Sequence, residues 1–189
     1  SQQTEFVDGL MMGCRRLVEL ANNLLDSSRI ESGNLELEIE DMDLREMIEA
    51  ASQDIRPLMQ RRGITLDIKC RQEQVPACCD GENIRRVFYN LMSNAIKFTP
   101  TGGTIELHFK TDDKSSYVSV SDTGPGIAAN RLPTLFDDFS HRKSPDGQHG
   151  NGLGLSICKR IVDAHHGRIW AESVAGQGSR FTFCLPAYG

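Results

Sequence analysis

The sequence predicts an α+β fold, a mixed sheet with helices packed against one face, preceded by one long helix. Three observations predict it. Apolar residues recur at helical spacing in four stretches, short alternating or β-rich runs fall between and after them, and two pairs of those runs are joined by polar turns. With 189 residues, 39% of them hydrophobic, the chain is long enough for one sizeable core.

The long helix spans residues 4–29, which contain no proline. Leu10, Cys14, Leu17, Ala21, Leu24 and Ser28 alternate steps of four and three, a coiled-coil-like seam. Val18, Leu20 and Leu25 widen that stripe, which suits a helix of a bundle more than a two-stranded coil. Ser32-Gly33-Asn34 stops it, so the chain divides into a helical segment, residues 1–33, and a globular domain, residues 34–189.

In that domain residues 35–39 alternate apolar and acidic as a half-exposed strand does. Asp43 is placed to cap a helix running to Arg61, with Glu46 at the capping-box position, and Gly63 ends it. Residues 64–70 read as a strand. Asp80 opens a helix with Ile84, Val87, Phe88, Leu91, Ala95 and Ile96 at helical spacing, closed by Pro100, Gly102 and Gly103. Residues 104–110 and 117–121 form a hairpin around Asp112-Asp113-Lys114-Ser115. Nine glycines or prolines then fall between Asp122 and Gly154, with one short apolar piece at residues 132–139, which marks a long functional loop. A helix over residues 153–165 and strands over 168–174 and 179–185, turned at Ala175-Gly176-Gln177-Gly178, complete the chain.

The bulk numbers exclude some functions. A net charge of −5 and a pI near 5.5 argue against nucleic acid as a partner and against an anionic membrane surface, so any phosphate must be held locally. The six cysteines, at 14, 70, 78, 79, 158 and 184, form no C-x-x-C pair and stand at no zinc-finger spacing to histidine. They are expected to be reduced thiols buried as small hydrophobes. No apolar run approaches the ~20 residues that cross a bilayer, and no signal peptide opens the sequence, which reads as a soluble cytoplasmic piece. A start at Ser1 suggests that it is part of something longer, to which any membrane anchor would belong.

Three constellations carry chemistry. Asn90, Asn94 and Lys97 lie on one helix face while Leu91, Ala95 and Phe98 pack elsewhere. A polar face is ordinarily just solvated, but asparagine is a poor helix former, and two aligned amides beside an ammonium suit a Mg2+–phosphate cluster. Asp122-Thr123-Gly124-Pro125-Gly126-Ile127 follows a strand. It is an Asx turn by itself, and it is also a carboxylate that can accept from an exocyclic amine, next to glycines that permit close approach. Gly150-Asn151-Gly152-Leu153-Gly154-Leu155 opens a helix, offering uncovered N–H groups to phosphate. No strand precedes these glycines directly and no Gly-Lys-Ser/Thr follows, so neither a Rossmann turn nor a P-loop fits.

Together with Leu135-Phe136-Asp137-Asp138-Phe139 and a Gly-x-Gly-Ser before the last strand, the order of these motifs resembles the N, G1, F, G2 and G3 boxes of sensor histidine kinases. These belong to the superfamily of gyrase, Hsp90 and MutL. LANNLLDSSRIESGNLELE is similar to the end of the second dimerisation helix and its linker, so the resemblance covers nearly the whole chain. It implies a two-layer α/β sandwich of the Bergerat type that binds ATP and Mg2+. Asn94, assisted by Asn90, would coordinate the metal, and Lys97 would contact a phosphate. Asp122 would bind the adenine amine, with Gly124, Gly126 and Ile127 shaping the pocket and Ser179 helping through a water. Gly150, Gly152, Leu153, Gly154 and Leu155 would line the phosphates and hinge an ATP lid over residues 140–151, which Phe136 and Phe139 anchor and from which His141, Arg142 or Lys143 reaches the γ-phosphate.

The resemblance further implies a homodimer through the helical hairpin and a response-regulator receiver domain as partner. Gyrase-like relatives place a glutamate where Asn90 stands, and an amide cannot act as a general base, so hydrolysis should be slow. None of His108, His141, His149, His165 or His166 sits in the family's His-Glu-x-x-Thr/Asn-Pro setting. The phosphoacceptor is therefore expected upstream of Ser1, and His165 reads as structural. Two other classes fit less well. Intact N, G1 and G2 boxes oppose a degenerate nucleotide-gated interaction module, and the seam helix opposes a protein-serine kinase of the same superfamily.

Overall fold

The computed structural model of the chain describes residues 37–137 and 154–187. The seam helix and its junction at residues 33 and 34 lie outside the described residues.

Strand β1 (Glu40–Asp43) leads directly into helix α1 (Leu44–Arg61). Asp43 is the N-cap as expected. Its Oδ1 accepts from Arg45 N at 2.9 Å and also from Val75 N at 3.1 Å, so one carboxylate both caps the helix and fixes the entry to strand β3 (Pro76–Cys79). Gly63, at φ +63°, turns the chain out of α1 into strand β2 (Thr65–Cys70), a backbone state that costs glycine little. β1 and β3 pair antiparallel as a separate two-stranded sheet, Glu40 opposite Cys79 through Asp43 opposite Pro76.

This pair corrects two expectations. Of the strand anticipated at 35–39, residues 35 and 36 lie outside the described residues and 37–39 form no strand; the strand lies at Glu40–Asp43, because pairing with β3 rather than apolar alternation sets its limits, and Ile39 is 49% exposed. β3 itself gives almost no strand signal: its four residues begin with proline, tolerated at a strand's first position, and contain no β-branched side chain.

Asp80 caps helix α2 (Gly81–Phe98) through Oδ1 to Asn83 N at 2.9 Å. Strands β4 (Thr104–Thr111) and β5 (Ser115–Asp122) form the expected hairpin, each slightly longer than its periodicity indicated. A 3-10 turn over Ala129–Thr134 occupies part of the loop's apolar piece. Leu135 is buried beyond it, and the Phe136 ring meets Phe181 edge-on at 6.5 Å. Helix α3 (Gly154–Ala164) is followed by strands β6 (Arg168–Ser173) and β7 (Ser179–Pro186). The main sheet runs β2-β4-β5-β7-β6, with β2–β4 parallel and every other pair antiparallel. This is the mixed sheet of the expected two-layer architecture.

One core joins the sheet to the helices. Ile105, Leu107, Val118, Val120, Phe181 and Phe183 alternate inward from the strands and meet buried residues of α1, α2 and α3. Phe88, fully buried on α2, is among the largest of these side chains. Phe88→Ala is expected to destabilise the fold by about 3–5 kcal/mol, read as a lower urea midpoint with little change in slope.

The five described cysteines form no disulfide with one another, but only Cys79 and Cys158 are buried, where loss of solvent pushes each thiol up to about 12. Cys70, Cys78 and Cys184 are only half-buried, because each sits at a sheet position that the helices do not fully cover. Phe98 likewise departs from expectation: as the last residue of α2 it is 43% exposed, and Lys97 Nζ stands 5.0 Å from its ring centroid.

Candidate nucleotide site

The polar face of α2 forms one wall. Asn90, Asn94 and Lys97 are half-buried, while Leu91, Met92 and Ala95 beside them are sunk in the core. Asn90 Nδ2 donates to Arg86 O at 3.3 Å, back along its own helix. Its Oδ1 faces the start of α3 so closely that a Cβ added to Gly154 would stand 2.8 Å from it. The N-box amide and the end of the glycine turn are therefore in direct contact, and the contact requires glycine. The first turn of α3 turns the positive end of its dipole toward this wall.

The end of β5 forms a second wall. Asp122 is 8% exposed and lies in register between Ile105 and Ser179. Burial pushes its carboxyl above the usual carboxylate range, and hydrogen bonds from the backbone of Gly124 and Ser179 offset only part of that rise. Gly124 N donates to Oδ1 at 2.8 Å. A Cβ at Gly124 would come within 2.7 Å of that same oxygen and 2.8 Å of Phe98 O, so the turn after β5 touches the end of α2.

The turn between β6 and β7 closes the corner. Gly178, at φ +88°, brings its α-carbon so near Asp122 O that a Cβ would lie 1.9 Å away, and Gly126, at φ +70°, packs equally hard on Val174 O. Gly176 N donates to Pro125 O at 2.7 Å, and Ile127 N donates to Ser173 Oγ at 2.8 Å. Asn90 with Gly154, and Asp122 with Gly124, Gly126, Ile127, Gly178 and Ser179, thus belong to two connected walls that share α2.

Leu155 is 4% exposed and packs in the core, because the first turn of α3 puts it on the inner side of the helix. It belongs to the core cluster that holds α3 to the sheet. Phe139, Arg142, Lys143, Gly150, Gly152 and Leu153 lie outside the described residues. Ser173, a lone serine at a strand end, and the latch between Gly176 and Pro125 carry no signal of their own in residue spacing. A Gly-Pro-Gly facing a Gly-x-Gly is the one signal that two turns pack together.

His165 is structural, as expected. Its Nδ1 is 2.7 Å from Ile161 O and its Nε2 accepts from Asp80 N at 3.0 Å, which places the ring proton on Nδ1. Asp80 in turn accepts Glu38 N at 3.2 Å, joining the start of the domain to both helices. Burial raises the Asp80 carboxyl, but hydrogen bonds from the backbone and side chain of Asn83 and from Glu38 N help outweigh it, and the net shift is downward.

Comparison with known proteins bears on the family and the fold. The chain is 35% identical over 176 residues to the adaptive-response sensory kinase SasA of Synechococcus sp. (strain JA-3-3Ab), covering 92% of this chain but only 46% of SasA. It spans about half the length of such relatives. The solved full-length ShkA, in complex with AMPPNP, superposes with a TM-score of 0.86 at 27% identity, covering 100% of this chain and 40% of that one. Histidine kinase ThkA, solved in complex with response regulator protein TrrA, superposes with a TM-score of 0.73 at 27% identity over 91% of this chain and 49% of that one. Residues 79–189, more than half of the chain, match the family described as "Histidine kinase-, DNA gyrase B-, and HSP90-like ATPase", and the chain belongs to that family.

Proposed function

We propose that this chain is the ATP-binding catalytic part of a two-component sensor histidine kinase. The observation that carries the reading is the contact of Gly154 with Asn90 Oδ1, which sets an amide oxygen at a helix N-terminus. Asp122 is the base reader: a buried carboxylate that accepts from the backbone of Gly124 and Ser179 still has lone pairs for an exocyclic amine. Lys97, at the far end of the polar face, supplies positive charge to a phosphate.

The donor set fits Mg2+. Among the described residues no group of three or more His, Cys, Asp or Glu is placed to hold a metal ion, so the oxygens would come from Asn94, Asn90 and the phosphates. Bound there, the ion neutralises phosphate charge and orients the γ-phosphoryl group. Asn90 offers no general base, so water is not activated and the phosphoryl group is kept for a histidine on the dimerisation helices. The receiver domain of a response regulator is the next acceptor, the working unit is a homodimer through the helical hairpin, and the domain acts at the cytoplasmic side. No helix among the described residues is long and apolar enough to cross a membrane. Titration of a fluorescent ATP analogue with and without Mg2+ tests the reading: tight binding that needs the metal supports it, and no binding under either condition overturns it.

Asp122→Asn separates recognition from stability. Because the folded carboxyl is raised, the native state holds a proton more tightly than the unfolded chain, and stability falls as pH climbs from the unfolded value through the folded one. Near neutral pH the buried charge is a net cost, so the amide should melt at an equal or higher temperature. ATP affinity should nevertheless drop by about 1–3 kcal/mol, since an amide can set its own NH2 against the adenine amine. Calorimetry and nucleotide titration on the same sample check both halves.

A further inference from the structure

The sheet has a second face, turned away from the helices, and its charges follow a pattern. On β4, Lys110 and Glu106 occupy outward positions on either side of His108; on β6, Arg168 and Glu172 flank Trp170 in the same way. The cross-strand register sets both cations in one row and both carboxylates in another, with His108 and Trp170 in the row between. Each cation stands about 13 Å along its strand from the carboxylate of that strand, too far to pair with it. Glu106 is bonded to Lys69 and His108, but among the described residues Lys110, Arg168 and Glu172 enter no ion pair. Lys110 Nζ lies 5.6 Å from the Tyr117 ring centroid, and the Arg168 guanidinium 5.6 Å from that of Trp170. The Asp112 carboxylate, which accepts from Tyr117 Oη at 3.1 Å, feels the Lys110 charge without pairing to it. Tyr117 and Trp170 meet edge-on at 6.5 Å, so the chain's one tryptophan sits half-buried on this face and not in the core.

A charged sheet face is ordinarily just solvated. This one is self-complementary: rotation by half a turn about a line through His108 and Trp170 exchanges cation for carboxylate on both strands. We propose that the face is a self-association surface, on which a second copy of the chain packs sheet to sheet about that two-fold. Arg168 then meets the partner's Glu172, Lys110 meets the partner's Glu106, and Trp170 lies against the partner's Trp170. Stacked sheets stand about 10 Å apart with their strands within about 30° of each other, a gap that a long cation and a glutamate span between them. At about 24 Å across five strands and about 17 Å along them, the contact hides about 800 Å² in all, the size of a weak association whose specificity comes from charge. Asp122 points to the other face, so the contact leaves the base corner open and the proposal stands apart from the nucleotide reading.

The test is sedimentation equilibrium of the whole 189-residue chain over rising concentration at low and high salt, with the emission of its one tryptophan followed in parallel. The parent should show an association step that weakens with salt and shifts the emission to the blue. R168E and E172R each set like charges across both symmetric contacts and should weaken that step about tenfold or more, while melting as the parent does because both positions are exposed. The two substitutions move the net charge in opposite directions, so a loss in both cannot come from overall repulsion. A mixture of the two single variants should associate again, as should the doubly substituted R168E/E172R chain alone, because in an isologous contact each change repairs the other. A parent with no salt-sensitive association overturns the proposal. So does a step that R168E and E172R leave unchanged, which belongs to another surface, and so does a loss that neither the mixture nor the double substitution restores.

Discussion

Asn94→Ala is expected to yield a folded protein whose affinity for Mg-ATP is about 100-fold lower or worse, a loss at least as large as that caused by removing the outer partners of a metal site. The helix should not suffer. Asn94 lies on the half-buried polar side of α2, while Leu91, Met92 and Ala95 hold the helix to the core, and alanine is the better helix former. Melting should therefore be unchanged or slightly higher, which separates a lost ligand from a lost fold. Titration with Mg-ATP and with ATP in excess chelator distinguishes the roles further: the variant should differ from the parent chiefly when the metal is present. Parent-like Mg-ATP affinity in a folded Asn94→Ala protein would show that this amide does not coordinate the metal.

The second large effect concerns phosphoryl transfer. Incubated alone with γ-labelled ATP, the 189-residue chain should bind nucleotide and remain unlabelled, because none of its five histidines lies in the expected acceptor setting. Of those described, His165 is committed to Asp80 and Ile161, and His108 sits on β4 beside Glu106. Transfer needs a nucleophile about 3–3.5 Å from the γ-phosphorus and roughly in line, a geometry that on the proposed reading a helix outside the catalytic domain would supply. A longer chain with its own Asn94 replaced should become labelled in trans, on a product that is acid-labile and base-stable. Acid-stable label on this chain alone, on serine or threonine, would move the assignment to the serine-kinase branch.

Much of this architecture is visible in residue spacing alone. Steps of four and three align Asn90, Asn94 and Lys97 on one face of α2, and Asp43 and Asp80 announce two helix starts because capping is decided within one turn of chain. Features set by distant partners were not visible. β1 lies where β3 pairs with it, not where Leu37 and Ile39 alternate, and β3 is too short and too small in its side chains to signal itself. Phe98 looked like a core residue because spacing cannot register that α2 ends beneath it. Ser173 meets Ile127 and Gly178 only when the turn after β5 folds against the turn before β7, which spacing along the chain cannot register.

The inward position of Asp122 has a bearing on how this site can change over generations. Val118, Val120 and Asp122 occupy alternate positions of β5 and point to the same side, so the carboxylate is carried by the same two-residue rhythm that fills the core. An extra residue in the turn at Asp112 and Asp113 would be absorbed at the surface. A single deletion within β5 would swap Ser121 or Thr123 into the pocket and turn Val118 and Val120 outward together. Drift that spoils base recognition by slippage therefore also spoils folding, and such lineages are lost for want of a stable protein before any change of nucleotide can be tried. What remains open to selection is point substitution at Asp122 and its neighbours, one side chain at a time, on a strand whose alignment the hydrophobic residues already guard.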